Sequence, residues 1–442
     1  MNPTAGTDPS PPPALVFLHF GAAGAFLLLA CGAALLGADA AGGFYAQPHL
    51  LAVTHLLVLG WINLVAFGVL VQMVPVIFHA PLRWPALAWA HLAAGAGGAA
   101  GLAAAFWTGR LDAPLVAAGV LVWLGVLALA VNLFATMARA GTRDASAWII
   151  AGALVNLLAT ATLGVALAVN FTHPWLARVH LDYLKLHAHL GFAGWLLGLI
   201  IGAGRRLLPM FLVAPEPPPG RSLAAFGAIE AGLVLWAAGL AFAPAAAGWV
   251  VPSAAGLLAL GAGLWLFEAA LVFHRRARRE LDPALRAAGI ALTVLGTAVG
   301  AAMAVAGWTA PADGAVAAYG ALALLGAVSL LVQAFLYKIV PFLVWLHRWS
   351  PLVGRQPVPT LRELTARIWI RTQLGLFAAG AALVVAGLFA AAPPLVRTGA
   401  TALGGSTVLL AVNFLRVGLA RPGTARFPAR PPAAAPHPTL AQ

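Results

Sequence analysis

Residues 55–75 read HLLVLGWINLVAFGVLVQMVP, and residues 189–209 read HLGFAGWLLGLIIGAGRRLLP. Adding 134 carries His55, Leu56, Gly60, Trp61, Gly68 and Pro75 onto His189, Leu190, Gly194, Trp195, Gly202 and Pro209 without a gap. A further 132 lands on Leu322, Gly326 and Pro341, with Ala321 and Ala327 in place of the His and the Trp. The chain therefore repeats itself with a period of about 133 residues, the mean of 134 and 132, the third copy being degraded. The first stretch carries no Asp, Glu, Lys or Arg over the roughly 20 residues that a helix needs to cross a bilayer, and the second none before Arg205 near its end.

Working outward, apolar runs divided by Gly, Pro and charged punctuation predict twelve helices. They fall near 14–37, 50–78, 85–107, 114–138, 147–170, 184–212, 223–243, 249–274, 286–308, 314–346, 368–391 and 395–419. Of the 442 residues 62% are hydrophobic and only 8% charged, where soluble domains carry about 25% charged residues. That excludes a soluble enzyme, a nucleic-acid binder and a disulfide scaffold; the lone Cys31 has no partner and reads as packing. The repeat equals four helices, so the predicted fold is an all-α polytopic membrane protein. Its twelve transmembrane helices form three four-helix repeats (about 14–138, 147–274 and 286–419) in a pseudo-threefold arrangement. Residues 1–13 lack the basic stretch of a secretory signal and read as a disordered lead-in, and 421–442 as a disordered basic tail.

The net charge of +13 reports topology. Arg83, Arg139 and Arg143, Arg221, the cluster Arg275 to Arg279, and Arg348 to Arg367 all fall in even-numbered connections, while odd ones hold little beyond Arg110, Arg178 and Lys185. By the positive-inside rule both termini are cytoplasmic, in a bacterial-type inner membrane.

Helices two, six and ten are then equivalent inner members, with small residues for close packing in lipid. His49, His55, His187 and His189 fall in their outer part, and an intramembrane imidazole must be paired or ligated. The repeat-matched His55 and His189 are the first choice for a shared haem, copper or zinc site. His187, two residues from His189, points elsewhere and suits a second ligand or a supporting hydrogen bond. The alternative is that these imidazoles only bond across helices; His49 and His180 read equally as interfacial. His19 and His91 lie nearer the cytoplasmic side and read as packing or hydrogen-bonding residues.

Three residues before each repeat proline stand Gln72, Arg206 and Lys338. They suit an anion or propionate site, a proton entry, or plain snorkelling to lipid phosphates. Glu230 has no evident local partner and is a candidate proton site; Glu268 reads as an ion pair with the Arg275 cluster.

Twelve helices in three arcs, with histidines at the outer ends of helices two and six, resemble the catalytic subunit I of the haem-copper oxidase superfamily, including its nitric oxide reductase branch. The segments from His55 to His79 and from His187 to Pro209 also look like NnrS, a twelve-helix haem- and copper-containing family linked to nitric oxide stress. The resemblance implies a b-type haem, with copper as a further candidate, held between inner helices. His55 and His189 are the ligands it favours, with His187 and His49 as further candidates and Trp61 and Trp195 packed against the ring. The oxidases place histidines on helices seven and ten, where this chain has none, so the NnrS-like reading fits better. It implies respiratory or nitric oxide-related physiology with a cytochrome or quinone partner, since no c-type haem motif is present. The rival reading is a transporter or a metallocofactor-delivery protein using the same histidines.

Overall fold

The computed structural model describes residues 11–139, 144–176, 180–242, 247–307 and 312–420. The basic tail, the first ten residues, Arg143 and Arg178 lie outside the described residues. Among those described, the chain is helical with no strand, as lipid demands of a backbone that must satisfy its own hydrogen bonds.

Twelve helices are long and apolar enough to span: α1 Pro13–Leu36, α2 Pro48–Ile77, α3 Pro85–Trp107, α4 Ala113–Ala138, α5 Ala145–Asn170 and α6 His180–Leu212, then α7 Pro219–Phe242, α8 Gly248–His274, α9 Pro283–Ala306, α10 Asp313–Arg348, α11 Arg367–Phe389 and α12 Pro393–Leu419. Several open on a proline in the first turn, where its missing N–H costs nothing. In α2, α6 and α10, 72%, 56% and 50% of the apolar window is buried, against 28–44% in the others. These three are the core, and the rest shield them from lipid.

Each core helix is interrupted by a π-helical stretch: Leu56–Asn63 in α2, Leu190–Leu197 in α6 and Leu322–Ser329 in α10. Their starts differ by 134 and 132, the offsets of the sequence repeat. Wide turns of this kind are rare and mark positions where ordinary helix geometry is given up for side-chain placement. Helix ends repeat too. His79 (φ 50°) and Val213 (φ 53°), again 134 apart, adopt the left-handed conformation. The next N–H, of Ala80 or Ala214, closes back on the carbonyl of Pro75 or Pro209. In α10 the helix instead runs on past Pro341 to Arg348.

Outside the core, α3 packs on α4, α7 on α8 and α11 on α12, the three most extensive helix pairs. Glycine sets their approach: a Cβ on Gly98 would lie 2.7 Å from the backbone N of Val122, and one on Gly232 2.9 Å from the Ala254 carbonyl.

Candidate functional site

His55 and His189 are each the last residue before a π-helical stretch. His55 Nδ1 donates to the Leu51 carbonyl at 2.7 Å, and His189 Nδ1 to the Lys185 carbonyl at 2.8 Å. A carbonyl only accepts, so each Nδ1 carries the proton and each Nε2 presents a lone pair. The two rings have different neighbours. His55 stacks on Phe106 of α3, centres 5.1 Å apart, while His189 lies 4.8 Å from Trp236 of α7, with its Nε2 3.5 Å from the Tyr319 hydroxyl of α10.

His187 turns away from His189: its Nδ1 donates to the Thr160 carbonyl of α5 at 3.0 Å, beside Gly164, whose missing side chain gives the ring room. His49 is exposed, its ring against the edge of Trp107. Among the described residues, no three or more His, Cys, Asp or Glu side chains gather as a metal-binding group. A three-imidazole group for copper is therefore not assembled among the described residues, whereas the Nε2 atoms of His55 and His189 are each of a kind that could hold haem iron.

Trp61 and Trp195, both 1% exposed, sit deeper, within the π-helical stretches. Trp61 Nε1 donates to Ser329 Oγ of α10 at 3.2 Å, and Trp195 Nε1 to Asn63 Oδ1 of α2 at 2.9 Å. The indoles tie the three core helices together and fill the space between them, with Phe67 beside Trp195 at 5.9 Å.

At the opposite, arginine-rich end, Arg206 pairs with Asp144 and, at 3.6 Å, with Glu216, while Lys338 pairs with Asp282. Asp144 also accepts from Ala147 N at the start of α5, and Asp282 from Leu285 N at the start of α9. A carboxylate at a helix start is stabilised by the free N–H groups and the helix dipole as well as by its cation. Burial alone pushes the Asp282 carboxyl up, but the hydrogen bond and charge of Lys338, the Leu285 N–H and Arg278 outweigh it and hold it below the usual carboxylate range. Arg206 and Lys338 thus have their own counter-ions, which leaves less charge for an anion than the sequence suggests. In the first repeat the cation's place is taken by Gln72 and the helix-start residue is Pro12, both uncharged. Between these ends lies a cavity of about 1160 Å³ lined by Gln72, His79, Met210, Lys338, Arg362 and Arg367 among others.

Glu230 has a partner that local sequence hides: Asn156 Nδ2 of α5 donates to it at 2.5 Å. Gly194 makes this possible, since a Cβ there would lie 2.6 Å from Asn156 Cγ. Glu268 accepts from Ser222 Oγ of α7 at 2.6 Å instead of pairing with the Arg275 cluster. Sequence reasoning missed Tyr319, Asp144 and Asp282; the signal for the two acids was their shared place just before the first helix of the second and third repeats. No protein-family model matches this chain, nor does any curated protein sequence.

Proposed function

We propose that this is a haem-binding protein of the inner membrane, with both termini cytoplasmic. Its three four-helix units surround a pseudo-threefold axis in the manner of oxidase subunit I. The observation that carries the reading is the shared backbone setting of His55 and His189. Both stand immediately before a π-helical stretch, and both have Nδ1 fixed on the carbonyl four residues back, so that each Nε2 would be free to hold haem iron. Bound haem would supply one-electron or diatomic-gas chemistry, consistent with a respiratory or nitric oxide-related role and a cytochrome or quinone partner. The chain's own residues set the ring orientation, pack aromatic surface against the imidazoles, and close the region toward the arginine-rich end with Trp61 and Trp195.

The test is an absorption spectrum of the detergent-purified protein, oxidised and reduced, with iron counted per chain. The expected result is a Soret band that shifts or disappears in His55→Ala and His189→Ala. A folded, colourless, iron-free protein overturns the reading.

The second reading, a transporter or metallocofactor-delivery protein, is favoured by the cavity of about 1160 Å³ at the arginine-rich end. Along α2 and α6, Trp61 and Trp195 come between His55 or His189 and the residues that line it, an arrangement suited to access from one side at a time. A colourless protein whose solute uptake in vesicles rises when Trp61 and Trp195 are replaced by Ala would select it.

A further inference from the structure

At the arginine-rich end the three core helices carry apolar side chains at one repeat position. Val76 of α2, Met210 of α6 and Phe342 of α10 stand 134 and 132 residues apart, each just after the repeat proline, and they are 43%, 59% and 45% exposed. Ile77, Phe211 and Leu343 follow them at the same spacing. All six line the cavity of about 1160 Å³, so the three core helices contribute matching positions to one wall. The volume exceeds the roughly 300–1,000 Å³ of sites for drug-sized ligands. Contiguous apolar surface left open in this way marks a binding site.

The rim has the opposite character. It carries four cations, Arg278, Lys338, Arg362 and Arg367, against two acids, Glu280 and Asp282, a surplus of two positive charges. Asp282 is shared by Lys338 and Arg278. Glu363, next to Arg362, is turned onto its own loop, where it accepts from Thr360 N at 2.7 Å and from Thr360 Oγ1 at 3.1 Å. Among the described residues Arg362, Arg367 and Glu280 make no ion pair. The loop that carries Arg362 is tied to α10, since Trp345 Nε1 donates to the Pro359 carbonyl at 2.8 Å. Two more groups of the lining have hydrogen-bonding capacity to spare. The Tyr337 hydroxyl accepts from Asn413 Nδ2 at 2.7 Å, which leaves its own proton to donate, and Gln72, 8% exposed, has no partner on Oε1.

We propose that this cavity holds one acidic phospholipid of the surrounding membrane, with its phosphate at Arg362 and Arg367 and its acyl chains against the apolar wall. Guanidinium groups bind phosphate oxygens through pairs of charge-assisted hydrogen bonds. A basic pocket between membrane helices on the arginine-rich side is the arrangement that acidic lipid headgroups occupy. The surplus of positive charge selects a negative headgroup over a zwitterionic one, and Tyr337 can donate to an ester carbonyl. The volume favours a two-chain lipid over a single-chain fatty acid. The lipid is resident and not carried, so the proposal rests on neither the haem reading nor the transport reading.

The test is native mass spectrometry of the full-length chain, stripped of lipid in detergent and then offered phosphatidylglycerol, phosphatidylcholine or oleate in turn. One phosphatidylglycerol per chain is expected to stay bound, with an affinity about tenfold or more above that for phosphatidylcholine or oleate. The double variant Arg362→Gln/Arg367→Gln, on exposed residues, should weaken phosphatidylglycerol binding about tenfold or more and leave phosphatidylcholine binding unchanged. Met210→Trp, which fills part of the cavity, should weaken it as well, and Arg110→Gln at the opposite end should not. The proposal is overturned if wild type holds no phosphatidylglycerol, if phosphatidylcholine or oleate binds equally well, or if the double arginine variant keeps wild-type affinity. Soret absorption and solute uptake are read separately, so those readings can fail without this one.

Discussion

Trp195 on α6 donates its indole N–H to Asn63 on α2 across 2.9 Å, and both residues are buried. The same relation recurs one step round the core, where Trp61 on α2 donates to Ser329 on α10. Asn63 plus 134 is Leu197, and 197 plus 132 is Ser329, so the acceptors occupy one repeat position just as the tryptophans do. The third link of such a ring would run from Ala327 on α10 to Leu197 on α6, and there donor and acceptor are both apolar. An unpaired partner in the core is costly, so loss of one favours loss of the other. This matched pattern extends the sequence repeat from the identities to the hydrogen-bond partners.

Trp195→Phe should therefore destabilise the folded protein by about 1–3 kcal/mol by leaving Asn63 unpaired. Adding Asn63→Leu should return part of that loss by reproducing the pairing of Ala327 with Leu197. Unfolding by denaturing detergent, read by tryptophan fluorescence, checks both; a double variant no better than the single would show that the bond carries no coupling.

The Asp282–Lys338 pair predicts a pH dependence. A carboxyl held below its ordinary value contributes stability at pH above the unfolded value, about 3.9, and loses that contribution as pH falls through the folded value. Asp282→Asn should lower the melting temperature at neutral pH, and the gap from wild type should narrow as the buffer is taken below about pH 4. A gap constant with pH would show that the substitution acts through something other than charge.

Val213 ends α6 in the left-handed conformation at φ 53°, which costs a side chain with a branched Cβ roughly 1–2 kcal/mol. Val213→Gly should raise the melting temperature, because glycine adopts that φ without strain. His79→Gly, at the matching end of α2, should act in the same direction but more weakly, since His tolerates positive φ better than Val.

Gly98 and Gly232 close the α3–α4 and α7–α8 pairs, where a Cβ would meet backbone atoms at 2.7 and 2.9 Å. Backbone cannot swing aside as a side chain can, so Gly98→Ala and Gly232→Ala should each cost about 1–3 kcal/mol. Gly21→Ala, where nothing lies within 4 Å, is the control expected to change little.

Much of this was legible in the primary sequence, and the residues show why. Apolar runs must be helical to cross lipid, so the twelve spans are legible in hydropathy alone, and the offset of 134 between His55 and His189 marks two of the core helices. Glu230 was less legible, because its partner Asn156 is 74 residues away on another helix, and Arg206 and Lys338 read as free cations because Asp144 and Asp282 are 62 and 56 residues distant.

The sequence by itself determined the number of spans, the repeat period and which helices carry histidine, because these follow from composition and spacing along the chain. The tertiary structure alone decided which groups are paired. It neutralised Arg206 and Lys338, turned His55 toward Phe106 and His189 toward Trp236, locked Trp195 on Asn63, and left the Nε2 atoms of His19 and His91 without partners. In an apolar interior the fate of a polar atom depends on what lies within about 3 Å of it, and helices far apart in sequence supply those neighbours.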